Sequence, residues 1–212
     1  DNASFTLAAD KLFTENFGLS LVWNQQTSIN GFIQFIMDHI NGSIRLSLKD
    51  GKFILKLIRD DYDVNTLVEV NPTNAQMESF QRAGWGELAN EVTVTYMDRE
   101  QNDASFTVQD LAAIDNQGAV VSTTKNYPGI RTQELAMRVA MRDLNTASST
   151  LAKISVVTNR ILYQHEVGDV IAFTWPDLAI TKAPFRIVRI DKGTLADGKI
   201  SVEAVEDLFG LP

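Results

Sequence analysis

Two histidines are the residues best suited to chemistry in this sequence. His39 and His165 are the only histidines, and neither has a second histidine four residues along, the spacing that places two metal ligands on one helix face. His39 falls in the last turn of a predicted helix, where a positive charge favours the helix dipole, so we interpret it as a surface or capping histidine. The chain has no cysteine, which excludes thiolate zinc sites and a cysteine nucleophile.

One acidic segment begins with the residue types of a calcium-binding loop. Residues 61–65 offer Asp, Asp and Asn at the first three liganding positions of such a loop. The match then ends, because Thr66 takes the place of the required glycine and Pro72 the place of the bidentate glutamate. We interpret the string as an acidic, solvated linker, and we expect no metal and no cofactor.

Paired carboxylates are the remaining catalytic possibility. Glu203 and Glu206 could serve a glycosidase, but Glu203 lies in a predicted strand and Glu206 directly after it, where charged side chains mostly face water. The sequence contains no Gly-x-Ser-x-Gly elbow, no phosphate-binding glycine loop and no dinucleotide fingerprint. The sequence therefore predicts no catalytic residues and a protein that is not an enzyme.

Charge and hydropathy exclude two classes of partner. The formal net charge is −8, and no Lys/Arg-rich run offers the basic stripe that nucleic acid requires. No apolar run approaches the roughly 18 residues of a membrane span. The chain starts at Asp1 without an initiator Met and stops at Pro212, and we interpret it as an excised piece of a longer protein.

The first third of the chain predicts a small α/β domain over residues 1–72. Residues 19–23 have the pattern of a strand. An amphipathic helix follows over 29–40, with Ser28 as its N-cap and Asn41-Gly42 at its end. Two alternating runs, 44–49 and 52–58, then flank Asp50-Gly51, the strongest short signal for a two-residue hairpin.

The remainder predicts a β-barrel-like domain over residues 73–212 with one inserted helix. The pattern loosens over 60–86, where we place the domain boundary. Strands are then expected in six runs: 92–96, 104–108, 119–124, 151–158, 169–175 and 185–191, with a seventh at 199–205. A long helix is predicted over 131–147. The fold class is α+β, with an antiparallel, barrel-like sheet.

The long helix also supplies a candidate interface. Its apolar residues cover a wider arc than the roughly 100° that a helix on one core needs, so we expect cover on more than one side. The helix could plug its own barrel, or it could offer Met137, Met141 and Leu144 to the next subunit, a role that suits adaptable methionines. Asp143 interrupts the apolar arc and is expected to pair with an arginine or to cap a backbone group.

Seven segments carry a family resemblance over nearly the whole chain. They are residues 17–23, 32–40, 56–63, 85–96, 127–132, 168–170 and 197–207. In their order along the chain and in their residue pattern, these segments resemble the tail hub or tip-attachment proteins of long-tailed phages. The resemblance implies a ring, usually a trimer, that caps the tail tube, and a barrel-like domain with a small α/β domain attached.

The sequence thus predicts a structural component of a phage or prophage tail tip or baseplate hub. Its expected partners are copies of itself, as a trimer in the full-length protein, and other tail proteins. We expect it in the virion tail, after assembly in the bacterial host cytoplasm. The alternative is a tail-associated cell-wall hydrolase or carbohydrate-binding domain.

Overall fold

The computed structural model describes residues 2–23, 26, 28–47, 50–84, 86, 88–194 and 196–210. Lys49, at the end of a predicted strand, lies outside these residues. So do Trp85 and Glu87, which belong to one of the segments that carry the resemblance. The described part of the chain is α+β with a curled, barrel-like sheet, which confirms the predicted fold class.

Four helices and eleven strands follow one another in the described residues. The helices are α1 (Asn2–Thr14), α2 (Ile29–Ile40), α3 (Leu111–Gln117) and α4 (Gln133–Ser148). The first strands are β1 (Gly42–Leu46), β2 (Phe53–Leu57), β3 (Glu69–Val70), β4 (Ala75–Arg82), β5 (Glu91–Met97), β6 (Asp103–Gln109) and β7 (Ser122–Asn126). The last are β8 (Ala152–Thr158), β9 (Val170–Trp175), β10 (Ile180–Asp191) and β11 (Ile200–Glu206).

Helix α2 begins and ends where its sequence indicates. The Ser28 hydroxyl accepts a hydrogen bond from the Gly31 amide at 3.1 Å, satisfying one of the free donors of the first turn. Asn41 ends the helix in the left-handed conformation at φ 49°, and its amide donates to the Met37 carbonyl. The predicted helix and both of its caps are confirmed.

The hairpin after α2 is confirmed, but its loop is not the predicted one. Strands β1 and β2 pair antiparallel, and their last cross-strand pair is Leu46 with Phe53. The loop is therefore longer than the two residues predicted from Asp50-Gly51. The predicted strand over residues 19–23 is wrong, because this segment has no strand partner.

A three-stranded sheet supports the long helix. Its order is β6-β5-β7, with β5 antiparallel to β6 and parallel to β7. Alternate residues of β5, Val92 and Val94 among them, are fully buried under α4. Burying each such side chain stabilises the fold by about 1.5–3 kcal/mol. Helix α4 therefore packs on this sheet instead of plugging a barrel.

A six-stranded sheet contains the other long strands of the described residues. Its order is β3-β9-β10-β11-β8-β4, antiparallel except that β3 runs parallel to β9. The core packed against it contains the stacked rings of Phe173 and Trp175, 5.5 Å apart, with Phe185 beside them. The strands predicted over 151–158, 169–175, 185–191 and 199–205 all lie in this sheet.

Strand β4 is the one long strand that the sequence pattern did not predict. It reads Ala-Gln-Met-Glu-Ser-Phe-Gln-Arg, without a single β-branched residue, and most of its positions are exposed. It pairs with β8 through a register shift between Met77 and Ser79, which breaks the alternation of faces. Pairing with a neighbouring strand, and not local propensity, makes this segment a strand.

The chain forms two compact units, each built from two separate segments. Unit 1 contains residues 1–58 and 84–149, and unit 2 contains residues 59–83 and 150–212. This division by compactness differs from the contiguous domains 1–72 and 73–212 that the sequence predicts. The chain passes from one unit to the other after residues 58, 83 and 149. The first two of these points lie within or next to residues 60–86, where the sequence predicts the domain boundary.

We expect limited proteolysis to cut first within residues 60–86, outside β3 and β4. Backbone held in a sheet resists proteases, whereas connections between compact units open at low cost. A brief digest with a non-specific protease, read by mass spectrometry of the first fragments, locates the cut. First cuts inside β5, inside β9 or in the loop between β10 and β11 would contradict this boundary.

Candidate functional site

A buried carboxylate lies at the centre of the most polar region of unit 1. Asp143, on α4, is 4% exposed. Its Oδ2 accepts from the Tyr127 hydroxyl at 2.6 Å and lies 3.3 Å from the Lys125 ammonium. Its Oδ1 accepts from Arg142 Nε at 3.0 Å and lies 2.9 Å from Arg142 Nη2. The predicted pairing of Asp143 with an arginine is confirmed.

Tyr127 is a neutral donor in this cluster. Burial raises the pKa of its hydroxyl, and the hydrogen bond to Asp143 raises it further, because a phenolate beside a carboxylate would be repelled. Arg142 lies over the Tyr127 ring, 5.7 Å from its centre. A tyrosine held in this way can orient a carboxylate but cannot act as a general base near neutral pH.

Two arginines of α4 donate hydrogen bonds to the N-terminal segment of unit 1. Arg142 donates to the carbonyls of Asp38 and His39, at 3.3 Å and 3.0 Å, at the end of α2. Arg138 donates at 2.8 Å to a carbonyl just past the end of α1, that of Glu15. The last carbonyls of a helix lack partners within the helix, and these guanidinium groups supply donors to this region.

His39 is not the surface or capping histidine that the sequence predicts. It is 1% exposed, with its ring against Phe35 and the edge of Tyr127 at centroid distances of 4.3 Å and 5.0 Å. Burial lowers its pKa, because a charged imidazole is poorly solvated there. The prediction failed because helical periodicity does not show that the last turn of α2 is covered by the turn around Gly129.

The surface beside this cluster is an open groove of about 600 Å³ in unit 1. Its acidic lining residues are Asp38 and Asp143. Asp38 accepts from Gln34 at 2.7 Å, and every oxygen of Asp143 already has a donor. A glycosidase needs one carboxyl group free to donate a proton and another free to attack or to activate water. Both oxygens of Asp143 are engaged in hydrogen bonds, so the described lining of the groove does not present two available carboxyl groups.

The other sequence-level candidates also make structural contacts. Glu203 pairs with Arg189 across β10 and β11 at 3.2 Å, and Glu206 pairs with Arg82 at 3.0 Å. Asp63, from the calcium-like string, accepts from the Asn65 amide at 2.9 Å and caps a short turn. Within the described ranges, no three His, Asp or Glu side chains converge as a metal would require.

The three candidate interface residues divide into two kinds. Met137 and Met141 lie one turn apart on α4 and are 40% and 51% exposed. Leu144 is buried in the core that α4 forms with β5. The buried positions of α4 follow one broad arc, and the core that they form includes Phe17 and Tyr127 as well as β5. Cover on more than one side of α4 stays a prediction.

A family comparison decides what kind of protein this is. Residues 28–190 match the model of a family described as "Putative phage tail protein". The match covers more than half of the chain. The chain belongs to this family. It is a structural component of a phage tail. A comparison with the curated proteins finds no match.

Solved structures support the fold of this tail protein. A chain of the virion of a native gene transfer agent particle superposes with a TM-score of 0.65 at 18% identity, over 84% of this chain and 38% of that one. The 43 kDa tail protein of prophage MuSo2 from Shewanella oneidensis gives 0.57 at 12% identity, over 99% and 67%. A tail protein from Neisseria meningitidis gives 0.51 at 13% identity, over 79% and 52%.

The tail protein therefore spans well under half of the gene transfer agent chain that it resembles. At these identities the likeness establishes the fold alone. Among the helices in the described residues, none has the length and hydropathy needed to cross a membrane. The resemblance to phage tail proteins seen in the sequence is confirmed at the level of the family.

We expect Asp143→Asn to lower the free energy of unfolding of the tail protein by about 3 kcal/mol. An amide cannot balance the charges of Arg142 and Lys125 or accept from all of their donors, and breaking a buried ion pair costs on this scale. Urea unfolding followed by circular dichroism measures the change. The matched control is Asp115→Asn on the exposed side of α3, expected to change it by less than about 0.5 kcal/mol. Equal effects of the two substitutions would contradict the role given to Asp143.

Proposed function

We propose that this tail protein is a segment of the tail tip or baseplate hub. In this proposal it assembles with copies of itself, as a trimer in the full-length protein, and with neighbouring tail proteins. It works in the virion tail after assembly in the host cytoplasm, without catalytic activity, nucleic acid or cofactor. The family and the likeness to a chain of a virion particle support an assembly role.

The exposed methionines of α4 are the observation that carries the proposal. Met137 and Met141 present two flexible, polarisable side chains side by side, on a helix whose opposite face is firmly buried. Neighbouring exposed apolar side chains on a rigid element are typical of protein contacts, and methionine adapts to the shape of a partner. Leu144 is buried, and its packing in the core of unit 1 helps to hold α4 in position.

The polar groups of the groove favour this reading over a hydrolase. Two carboxylates of the candidate sites bind another segment of their own unit: Asp143 accepts from Tyr127, and Glu206 accepts from Arg82. An active site keeps at least one such group available to substrate. The described residues therefore favour a scaffold whose polar side chains stabilise its own geometry.

We expect Met137→Glu combined with Met141→Glu to abolish self-association of the chain. Two charges placed in a contact that excludes water are costly to desolvate. Sedimentation velocity up to about 100 µM, well above a micromolar Kd, measures the state of each variant. The wild-type chain should associate with rising concentration, and the double variant should stay monomeric.

The matched control is Leu111→Glu, which places the same charge on an apolar position of α3 that is 72% exposed. This variant should associate like the wild type. A wild-type chain that remains monomeric over the whole range would contradict self-assembly through α4. A control that is disrupted as strongly as the methionine variant would show a non-specific effect of charge.

A further inference from the structure

His39 uses both of its ring nitrogens, and the two contacts have opposite polarity. Nδ1 lies 2.8 Å from the Phe35 carbonyl oxygen, which can only accept a hydrogen bond. Nε2 lies 3.3 Å from the Gly129 amide nitrogen, which can only donate. Both bonds form together only when the imidazole is neutral and its proton is on Nδ1. The geometry therefore fixes both the charge and the tautomer of the ring.

Gly129 is closely packed against His39 and Leu19. A β-carbon at position 129 would lie 3.2 Å from His39 Nε2 and would clash with the Leu19 side chain. The Gly129 carbonyl in turn accepts from the Ser20 amide at 2.9 Å. A proton added to Nε2 would point at the Gly129 N–H, so that two donors would face each other.

This histidine lies between the two cores of unit 1. One core belongs to the N-terminal part, defined as residues 2–58, and contains Met37 and Ile40 from α2. The other belongs to the helix–sheet part, defined as α3, α4 and β5–β7 with the turn at 127–130. Phe17 packs against both cores, and His39 and Arg142 add hydrogen bonds between the two parts.

Charged and titratable groups face His39 from each neighbouring element. Burial is the main cause that lowers its pKa. The Phe35 carbonyl and Asp38, both on α2, oppose this effect, and the Arg142 guanidinium on α4 adds to it. Tyr127 presents its ring edge and carries no charge. Asp143 is paired with Arg142, so its charge is already balanced.

We propose that His39 is an acid-sensitive latch between the two parts of unit 1. Protonation of Nε2 breaks the bond to Gly129 and places a second cation beside Arg142. The last turn of α2 then loses a contact with the helix–sheet part, and the N-terminal part loosens from α4. At neutral pH the latch is closed.

The direction of the pH dependence follows from the lowered pKa. The unfolded chain takes up a proton on this histidine near pH 6.5, and the folded chain does so only at lower pH. Between these two values the unfolded state binds more protons, so the stability of unit 1 is complete above about pH 6.5 and falls as the pH falls below it. The unfolding equilibrium constant rises by at most about tenfold per pH unit in this window.

Nuclear magnetic resonance of the wild-type chain tests the closed latch directly. The ¹⁵N shifts of the His39 ring should show a neutral imidazole with the proton on Nδ1 at about pH 7.5, one unit above the ordinary pKa. The Gly129 amide resonance should shift in step with protonation of His39 as the pH is lowered. A ring protonated on Nε2 at neutral pH, or a Gly129 amide that ignores the titration, would overturn the proposal.

Variants test the consequence for stability. His39→Gln can still accept from Gly129 but has no charge to gain, so its unfolding should lose most of the dependence on pH between about 7.5 and 5.5. His165→Gln removes the other histidine, which lies in unit 2, and should keep the wild-type dependence. A wild-type dependence that persists in His39→Gln and disappears in His165→Gln would refute the latch. If His39→Gln does not fold, the magnetic resonance titration of the wild-type chain still tests the proposal.

Discussion

The buried carboxylate of Asp143 is the interaction on which the arrangement of unit 1 depends. It lies on the face of α4 that packs toward the sheet, where a lone charge would be very costly. The cost is offset because Tyr127, Arg142 and Lys125 all direct donors at it. Each of these contacts also fixes something else. Tyr127 begins the turn that receives His39, and Arg142 reaches past Asp143 to the end of α2.

Unit 2 contains a comparable buried pair at the point where its first segment enters. The Arg186 guanidinium lies 2.5 Å from Asp207 and donates to the carbonyls of Gly168 and Arg59. Burial and the Asp207 charge raise the pKa of nearby Tyr62 to about 12. Residues 59–83 are separated from the rest of unit 2 by a long stretch of sequence, so directional contacts of this kind help to hold them in place. Each discontinuous unit thus has an arginine–carboxylate pair that joins segments distant in the chain.

The sequence predicted those elements whose patterns are local. Helix α2 has a complete apolar stripe and two capping residues, and β5 alternates apolar and polar side chains over its length. Several of the errors concern interactions between distant segments. Strand β4 exists because β8 pairs with it. His39 is buried because a turn ninety residues later covers it. Which strands share a sheet also depends on long-range contacts, which no local window contains.

The candidate site shows the same division between local and distant information. Helical periodicity alone placed Asp143 within an apolar arc, and the cost of an unpaired charge there required a partner. It could not identify Tyr127 or Lys125, because their contribution depends on how β7 and the following turn pass beside α4. The width of the apolar arc of α4 likewise suggested that Met137 and Met141 are exposed. Which part of that arc is buried depends on how α4 packs on the sheet of β5, β6 and β7.

These two features of α4 are physically linked. At about 100° per residue, Asp143 lies near the middle of the buried arc that runs from Leu135 to Leu144, and the two methionines follow just beyond its edge. A helix held only by apolar contacts can rotate or slide by small amounts at little cost, whereas hydrogen bonds to one carboxylate allow a single rotation. The polar cluster therefore determines where Met137 and Met141 point. A rigid, defined presentation of apolar side chains lowers the entropy lost on association, so the interior of unit 1 supports the surface through which we propose that the chain assembles.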